Sequence, residues 1–236
     1  MYERRLHEVL QRIDNAARDA GRPVPRLLAV SKRHSGTAVA ELAAAWARTQ
    51  PPAVVALGEN YVQEALAKQS ELNAQPALPA IEWHLIGHLQ SNKAREAARA
   101  FDWVQTVDRR RLVEALARHR PADRPPLNVL LQVNVDDEPG KHGCAPDTVM
   151  DLADAVAAHP SLRLRGLMAI PAPHGDLERR RPAFARMRAL FGELQAEHPG
   201  VDTLSMGMSD DLEVAVAEGA TMVRVGTALF GARGRA

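Results

Sequence analysis

Short apolar runs alternate with amphipathic stretches along the chain, and this alternation is its main structural signal. The apolar runs predict eight strands: Leu27–Val30, Ala53–Leu57, Ile81–Ile86, Trp103–Val107, Leu127–Val135, Leu162–Ile170, Thr203–Met206 and Met222–Val225. Helical periodicity lies between them, most clearly in one set of apolar residues: Phe184, Met187, Leu190, Phe191 and Leu194. Strands that alternate with helices are typical of βαβ units and a parallel sheet.

About eight such repeats predict a closed (β/α)8 TIM barrel, with a doubly wound α/β sheet as the alternative. An amphipathic helix leads the barrel, with apolar residues at helical spacing: Leu6, Val9, Leu10, Ile13 and Ala17. The proline-rich stretches Gln75–Pro79 and Pro121–Pro126 are too short for domain linkers and predict loops. We therefore expect one domain over residues 1–236.

Charge and cysteine content exclude several classes of protein. The chain has 30 basic and 29 acidic side chains, so no overall field favours nucleic acid or an anionic membrane. Cys144 is the only cysteine, which excludes an internal disulfide. The first residues do not resemble a signal peptide, and no apolar run approaches the ~18 residues of a membrane span. We expect a cytoplasmic monomer without nucleic-acid or membrane partners.

A lysine stands directly after the first predicted strand, in the pair Ser31-Lys32. Active sites of (β/α)8 barrels form at the carboxyl ends of the strands, which is where Lys32 is expected to lie. Lysines are ordinarily protonated at neutral pH and form imines only where burial or a cationic neighbour activates them. A solvated surface charge is the other interpretation.

The last predicted strand contains an arginine, Arg224, between Val223 and Val225. Both faces of a parallel strand are covered, so the guanidinium needs hydrogen-bond acceptors away from bulk water. The two valines share one face, which puts Met222 and Arg224 on the other, the pocket side in this interpretation. An internal salt bridge explains Arg224 equally well.

Glycines and hydroxyl residues follow the last two strands, where barrels often bind phosphate. We assign phosphate binding to four of them: Ser205, Gly207, Gly226 and Thr227. Ser209 instead predicts a helix cap, followed by Asp210 and Asp211 in the first helical turn. Because those carboxylates would repel a phosphate, we expect none on Ser209.

Two segments at the middle strands offer weaker signals. Asn60 and Gln63 resemble a capping box at the mouth of the barrel. His84 and His88 are four residues apart near the third strand, a spacing that on a helix would suggest a metal site. Gly87 and the neighbouring strand are not compatible with a helix that would place both histidines on one face, so we expect no metal.

Five segments together resemble the pyridoxal-phosphate homeostasis protein family: LLAVSK, GENYVQEA, WHLIGHLQSNKAR, GLMAIP and LSMGMSDDLEVAVAEGATMVRVGTALFGAR. They run from Leu27 to Arg233 and so cover nearly the whole chain. That family is similar in fold to the barrel domain of alanine racemase, fold type III among proteins that bind pyridoxal 5'-phosphate (PLP). The chain departs in small ways, with Leu57 where an aromatic residue is expected and Arg33-His34 after the lysine.

The resemblance implies a set of cofactor contacts. Lys32 would hold PLP as a Schiff base, and Arg224 would face the pyridine nitrogen. Ser205, Gly226 and Thr227 would bind the phosphate. Two further residues would border the cofactor: Asn60 and His84.

The resemblance also implies a carrier without catalytic residues, which maintains the supply of PLP to apo-forms of PLP-dependent enzymes. The alternative is an amino-acid racemase. Racemisation with two bases needs a proton donor on each side of the α-carbon. In alanine racemase the second base is a tyrosine from another domain of the partner subunit. This chain ends at Ala236, directly after the predicted barrel, and its only tyrosines are Tyr2 and Tyr61. Neither is an obvious second base.

Overall fold

Eight parallel strands close into a barrel in the computed structural model, which describes residues 1–50, 54–75, 78–138, 140–172 and 174–231. The strands, in chain order, are β1 (Arg26–Val30), β2 (Val55–Glu59), β3 (Ile81–Leu85), β4 (Trp103–Val107), β5 (Leu127–Val133), β6 (Leu162–Ala169), β7 (Thr203–Met208) and β8 (Met222–Val225). Each strand pairs with the next, and β1 pairs with β8. The barrel prediction is therefore confirmed, and the alternative of an open doubly wound sheet is wrong.

Differences from the predicted strands are confined to their ends. β5 ends at Val133 and β6 at Ala169, both earlier than predicted. The extra apolar residues have other surroundings, since Val135 is buried beyond β5 and Ile170 lines a cavity. Hydrophobicity marks burial, and not every buried residue belongs to the hydrogen-bonded ladder. The predicted first residue of the second strand, Ala53, lies outside the described residues.

Nine helices are present in the described part of the chain: α1 (Tyr2–Asp19), α2 (Gly36–Thr49), α3 (Val62–Asn73), α4 (Ala94–Ala100), α5 (Arg110–His119), α6 (Val149–Ala157), α7 (Arg181–Glu197), α8 (Leu212–Ala217) and α9 (Thr227–Phe230). Short 3-10 helices precede three of them: Ser91–Lys93, Pro146–Thr148 and Leu177–Arg180. The predicted leading helix is α1, which buries Leu6, Val9 and Ile13 and packs against α2, α8 and α9. Among the described helices, none has both the length and the apolar character needed to cross a lipid bilayer.

Two layers of apolar packing hold this architecture together. The larger lies between the barrel and its helices, and α7 contributes Phe184 and Met187 to it. The smaller fills the inside of the barrel with two clusters: Leu28, Ala56 and Met222 in one, and Trp103, Leu130 and Met168 in the other. A barrel filled in this way is a packed core and not a pore. A ligand therefore has to bind above the core, at the carboxyl ends of the strands.

Candidate functional site

A cavity of about 420 Å³ opens at the carboxyl ends of the strands, within the ~300–1,000 Å³ typical of small-molecule sites. Residues at or just after the carboxyl ends of six different strands line it: Val30, Lys32, Asn60, Ile86, Ile170, Met208, Ser209, Asp210, Arg224, Gly226 and Thr227. Five of the eight residues predicted to bind the cofactor are in this set: Lys32, Asn60, Arg224, Gly226 and Thr227. The other three, Ser205, Gly207 and His84, lie outside it.

Lys32 reaches the cavity from a tight turn directly after β1. The turn is anchored because the Ser31 amide donates to the Gly58 carbonyl at 3.0 Å and the His34 amide donates to the Ser31 carbonyl at 3.1 Å. Arg33 has a φ of 64°, a left-handed conformation that non-glycine residues seldom adopt. Lys32 itself is half-buried. The backbone therefore presents its side chain from a constrained turn and not from an extended loop.

A buried ion-pair network behind this turn was not predicted from the sequence. The Lys68 ammonium on α3 donates to the Ser31 carbonyl at 2.7 Å, to Glu59 at 2.6 Å and to Glu64 at 2.8 Å. The Ser31 hydroxyl also donates to Glu59, at 2.6 Å, and the Arg33 amide donates to Glu64. Lys68 and Glu59 are both buried. This cluster ties both sides of the Lys32 turn to β2 and α3.

The electrostatics of that network depend on mutual compensation. Burial raises the pKa of Glu59, and the hydrogen bonds from Lys68 and Ser31 act in the opposite direction. One oxygen of Glu59 has no hydrogen-bond partner. The Lys68 ammonium therefore provides most of the stabilisation that offsets the burial of this carboxylate. The sequence does contain a signal, because Lys68 follows Glu64 by four residues and shares its helix face. Its contact with the Ser31 carbonyl depends on how α3 packs on the barrel.

Arg224 is buried at the carboxyl end of β8 and is held by neutral acceptors. Its guanidinium donates to the Ser205 carbonyl at 2.7 Å, to the Ser205 hydroxyl at 2.9 Å and to the Ala169 carbonyl at 2.9 Å. It forms no ion pair with the described residues, so the salt-bridge explanation is not supported. Burial lowers the pKa of Arg224 to about 10. The side chain is therefore still a cation at neutral pH, and it lines the same cavity as Lys32.

Ser205 and Gly207, both predicted to bind phosphate, are not among the residues that line the cavity. The Ser205 hydroxyl is fully buried in the barrel, where it donates to Gln105 at 2.7 Å and accepts from Arg224. Gly207 has a φ of 91°, and a Cβ there would lie 2.5 Å from the Cβ of Ala215. Its glycine is therefore explained by backbone conformation and packing against α8.

Ser209 does line the cavity, and the helix cap predicted for it is absent. The residue before α8 is Asp211, whose carboxylate accepts from the Met208 amide at 2.6 Å. Arg180 pairs with the other oxygen of Asp211 at 2.6 Å. Because Asp211 is already paired, its carboxylate is a weaker obstacle to an anion than the sequence indicated, whereas Asp210 lines the cavity. The hydroxyl-bearing residues that line the cavity, among those described, are Ser209 and Thr227.

The predicted capping role of Asn60 is also wrong, although Asn60 does line the cavity. Tyr61 is the N-cap of α3 and makes no side-chain capping bond. Tyr61 is exposed and borders a neighbouring cavity of about 390 Å³, and it does not border the one that contains Lys32. Asn60 is common to both cavities.

His84 lies inside the barrel and not at the cavity. Its ring stacks on Trp103 with centroids 5.1 Å apart, and its nitrogens lie 2.6 Å from Glu82 and 2.9 Å from the Gln105 amide. Burial lowers the pKa of His84, while the contact with Glu82 opposes the change. Burial alone would raise the pKa of Glu82, but His84 and Arg26 together lower it to about 2.

A continuous hydrogen-bond path joins His84 to Arg224. Since Ser205 donates to the Gln105 oxygen, the Gln105 amide nitrogen is left to donate to Nδ1 of His84. The imidazole is then neutral and donates from Nε2 to Glu82. At the other end of the path, the Arg224 guanidinium donates to the Ser205 hydroxyl. His84 is therefore connected to the cavity only indirectly, through the hydrogen bonds of Gln105 and Ser205 that position Arg224.

A barrel with a lysine after β1 and a buried arginine on β8 is one of the class represented by alanine racemase N-terminal domains. The family with the description "Alanine racemase, N-terminal domain" matches residues 5–234. The chain is 53% identical to the pyridoxal phosphate homeostasis protein of Pseudomonas aeruginosa, over 97% of this chain and 94% of that one. It is 47% identical to the protein of the same name from Escherichia coli K12, over 97% and 95% of the two chains.

A solved structure gives the same result. PipY of Synechococcus elongatus, in the structure with PLP bound, matches with a TM-score of 0.81 at 37% identity, over 98% of this chain and all of that one. The chain therefore belongs to the family of pyridoxal phosphate homeostasis proteins.

Proposed function

We propose that this protein binds PLP in the cavity that contains Lys32 and Arg224 and takes part in PLP homeostasis as a carrier of the cofactor. The observation that carries the proposal is the joint presence of these two side chains in one cavity of about 420 Å³ at the carboxyl ends of the strands. Support comes from the relatives, which are named for PLP homeostasis, and from the PLP-bound structure of PipY.

The residues of the cavity fit such a cofactor. The chain has four lysines, and only Lys32 lines this cavity. Lys68 is buried and paired with two carboxylates, while Lys93 borders the neighbouring cavity. We therefore assign the Schiff base to Lys32. The cationic Arg224 nearby is the kind of neighbour that favours an unprotonated, nucleophilic amine.

Hydroxyl-bearing residues and backbone amides that border the cavity suit a phosphate group. Ser209 and Thr227 supply the hydroxyls, and Gly226 precedes the first turn of α9. The Thr227 and Ala228 amides precede the first helical hydrogen bonds, which the Leu229 and Phe230 amides donate to the Gly226 carbonyl. The predicted contribution of Gly226 and Thr227 is kept, while Ser209 replaces Ser205 and Gly207 in the proposal.

The titratable side chains around the cavity favour a carrier over a racemase. PLP, when bound, stabilises a carbanion at the α-carbon of an amino acid, and does so best when its pyridine nitrogen is protonated. A cationic guanidinium facing that nitrogen would disfavour the proton. Tyr61 borders the neighbouring cavity and so supplies no second base here. The titratable side chains that line the cavity within the described residues are Lys32, Asp210 and Arg224.

The partners we propose are apo-forms of PLP-dependent enzymes in the cytoplasm, and the carrier is proposed to be a monomer. A cytoplasmic location is supported by a chain whose single cysteine forms no disulfide of its own. Light scattering of the purified protein tests the monomer, which a stable dimer at micromolar concentration would contradict.

The carrier function is tested by mixing the PLP-loaded protein with an apo-enzyme and measuring the activity of that enzyme. We expect the activity to appear as the yellow absorption of the carrier declines. Lys32→Ala should lose the yellow absorption and the borohydride-trapped adduct, and Lys93→Ala is the matched control that should keep both.

Sustained interconversion of D- and L-amino acids at ordinary enzyme rates, ~1–10³ s⁻¹, would contradict the carrier hypothesis. An adduct that persists in Lys32→Ala would contradict the lysine assignment alone.

A further inference from the structure

Three side chains that can bind a metal ion converge on the rim of the barrel, after β3, β4 and β5. They are His88, Asp108 and His142, and their ligand atoms all lie within 4.8 Å of one another. We propose that these residues form a binding site for a divalent transition-metal ion such as Zn²⁺. The site is separate from the cavity that contains Lys32 and does not depend on the proposed carrier function.

The chemistry of the three groups suits zinc. Two imidazoles and one carboxylate are common zinc ligands, and three protein ligands leave a fourth position for water or another small ligand. The His88 and His142 rings are stacked, with centroids 3.7 Å apart and an angle of 12° between planes. Nδ1 of His88 lies 4.0 Å from a carboxylate oxygen of Asp108. Ligand atoms of a tetrahedral zinc ion are about 3.3 Å apart, given bonds of about 2.0–2.1 Å. Modest rotations of the side chains would therefore bring all three into contact with one ion.

The backbone that carries His142 is held firmly against β5. The Cys144 amide donates to the Gln132 carbonyl at 2.8 Å, and the Asn134 amide donates to the Cys144 carbonyl at 2.9 Å. Gly143 between them has a φ of 125°, and a Cβ there would lie 2.5 Å from the Asn134 nitrogen. These contacts, which form an isolated bridge between Val133 and Cys144, fix the backbone next to His142 relative to the barrel.

Asp108 is likewise oriented toward the pair of histidines. One of its oxygens accepts from the Arg109 guanidinium, which also donates to the Leu89 carbonyl at 3.0 Å. The other oxygen is the one nearest His88. Both histidines are exposed, so an ion can reach the site from solvent. The carboxylate is the only negative charge within the cluster, which suits a dication with two neutral ligands.

The chain offers matched controls for a direct test. His7 is exposed on α1 and is remote from the cluster in sequence, so His7→Ala removes a surface imidazole only. Lys32→Ala separates this site from metal binding by PLP itself, because free or bound cofactor can chelate metals. His142→Ala and Asp108→Asn each remove one ligand at positions that are not part of the apolar core.

The experiment titrates the purified protein, free of any affinity tag, with Zn²⁺ in a calorimeter and with Co²⁺ in a visible spectrometer. We expect one equivalent to bind, and a cobalt spectrum typical of four- or five-coordination. His142→Ala and Asp108→Asn should each weaken binding at least tenfold, while His7→Ala and Lys32→Ala should bind as the unsubstituted protein does. Zn²⁺ should also raise the Tm of the unsubstituted protein and leave that of His142→Ala unchanged, because ligands stabilise only the state that binds them.

Three results would overturn the proposal. These are the lack of saturable binding near one equivalent, an affinity in His142→Ala and Asp108→Asn equal to that of the unsubstituted protein, and a loss in His7→Ala as large as that in His142→Ala. Circular dichroism of each variant establishes that it is folded before the affinities are compared.

Discussion

The Arg224 guanidinium and the Ser205 side chain form one unit, with the hydroxyl 2.9 Å and the carbonyl of the same residue 2.7 Å from a single guanidinium nitrogen. The hydroxyl also donates to Gln105 at 2.7 Å. Its donor and one acceptor site are thus used inside the barrel. Ser205 therefore orients Arg224 toward the cavity.

This relationship predicts how Ser205→Ala behaves. The substitution removes an acceptor from a buried guanidinium, which should cost about 1–3 kcal/mol of unfolding free energy. Affinity for PLP and for pyridoxal should fall by the same factor, because a displaced Arg224 affects both ligands alike. Paired titrations measure the two dissociation constants. A selective loss of affinity for PLP would instead place Ser205 at the phosphate.

Ser209→Ala and Thr227→Val should act selectively on the phosphorylated ligand. Each removes a hydroxyl that borders the cavity, and a hydrogen bond to a charged group is worth about 1.5–3 kcal/mol. We expect each variant to bind PLP about ten- to a hundredfold more weakly and to bind pyridoxal unchanged. Pyridoxal itself should bind the unsubstituted protein much more weakly than PLP. Equal affinities for PLP and pyridoxal would contradict the phosphate assignment.

Arg224→Gln should increase α-proton exchange on amino acids bound with PLP. The amide keeps a donor toward the Ser205 and Ala169 carbonyls but removes the cation that disfavours a protonated ring. Arg224→Glu should be far less stable, because its carboxylate would face those same carbonyls. Deuterium incorporation at the α-carbon, followed by NMR, is the measurement. The control is the pair Lys32→Ala and Arg224→Gln together, which should not exchange.

Lys68→Met should destabilise the fold by about 3–5 kcal/mol, because it leaves the buried Glu59 without its cation. It should also lower PLP affinity, since Lys68 holds the Ser31 carbonyl beside Lys32. Adding Glu59→Gln to Lys68→Met should recover much of the stability but not the affinity. Urea unfolding and PLP titration give the two quantities. If the double variant recovers both the unfolding free energy and the PLP affinity, the network affects affinity only through stability, and the proposed positioning role of Lys68 is wrong.

His84 makes a specific contribution to the pH dependence of stability. Its pKa in the folded protein is lowered from 6.5 by burial, so the unfolded chain binds the proton first as the solution is acidified. The stability it contributes is therefore present above about pH 6.5 and is lost below it. Urea unfolding between about pH 7.5 and 5 should show a smaller loss in His84→Gln than in the unsubstituted protein. An unchanged slope in His84→Gln would refute the assignment.

Glu82 contributes in a lower pH range, because its pKa is lowered from 4.5 to about 2. Its stabilisation is present above about pH 4.5 and is lost as the pH falls toward 2. The two groups can therefore be distinguished by the range in which stability changes.

The sequence by itself determined the barrel, the leading helix, and the placement of Lys32 and Arg224. These features depend on local periodicity, since alternating strand and helix patterns decide which residues end each strand. In β8 the simple alternation of side chains correctly put Val223 and Val225 on one face and Arg224 on the other, because β8 pairs with β1 in continuous register.

Only the tertiary structure decided the neighbours of those residues. The register between β7 and β8 shifts between Ser205 and Met208, and Gly207 has a positive φ. This irregularity breaks the alternation, so periodicity could not show that Ser205 lies inside the barrel while Ser209 lines the cavity. The pairing of Lys68 with Ser31 and of His88 with His142 joins segments from different βα units. Such contacts depend on barrel closure and helix packing, which no local pattern encodes.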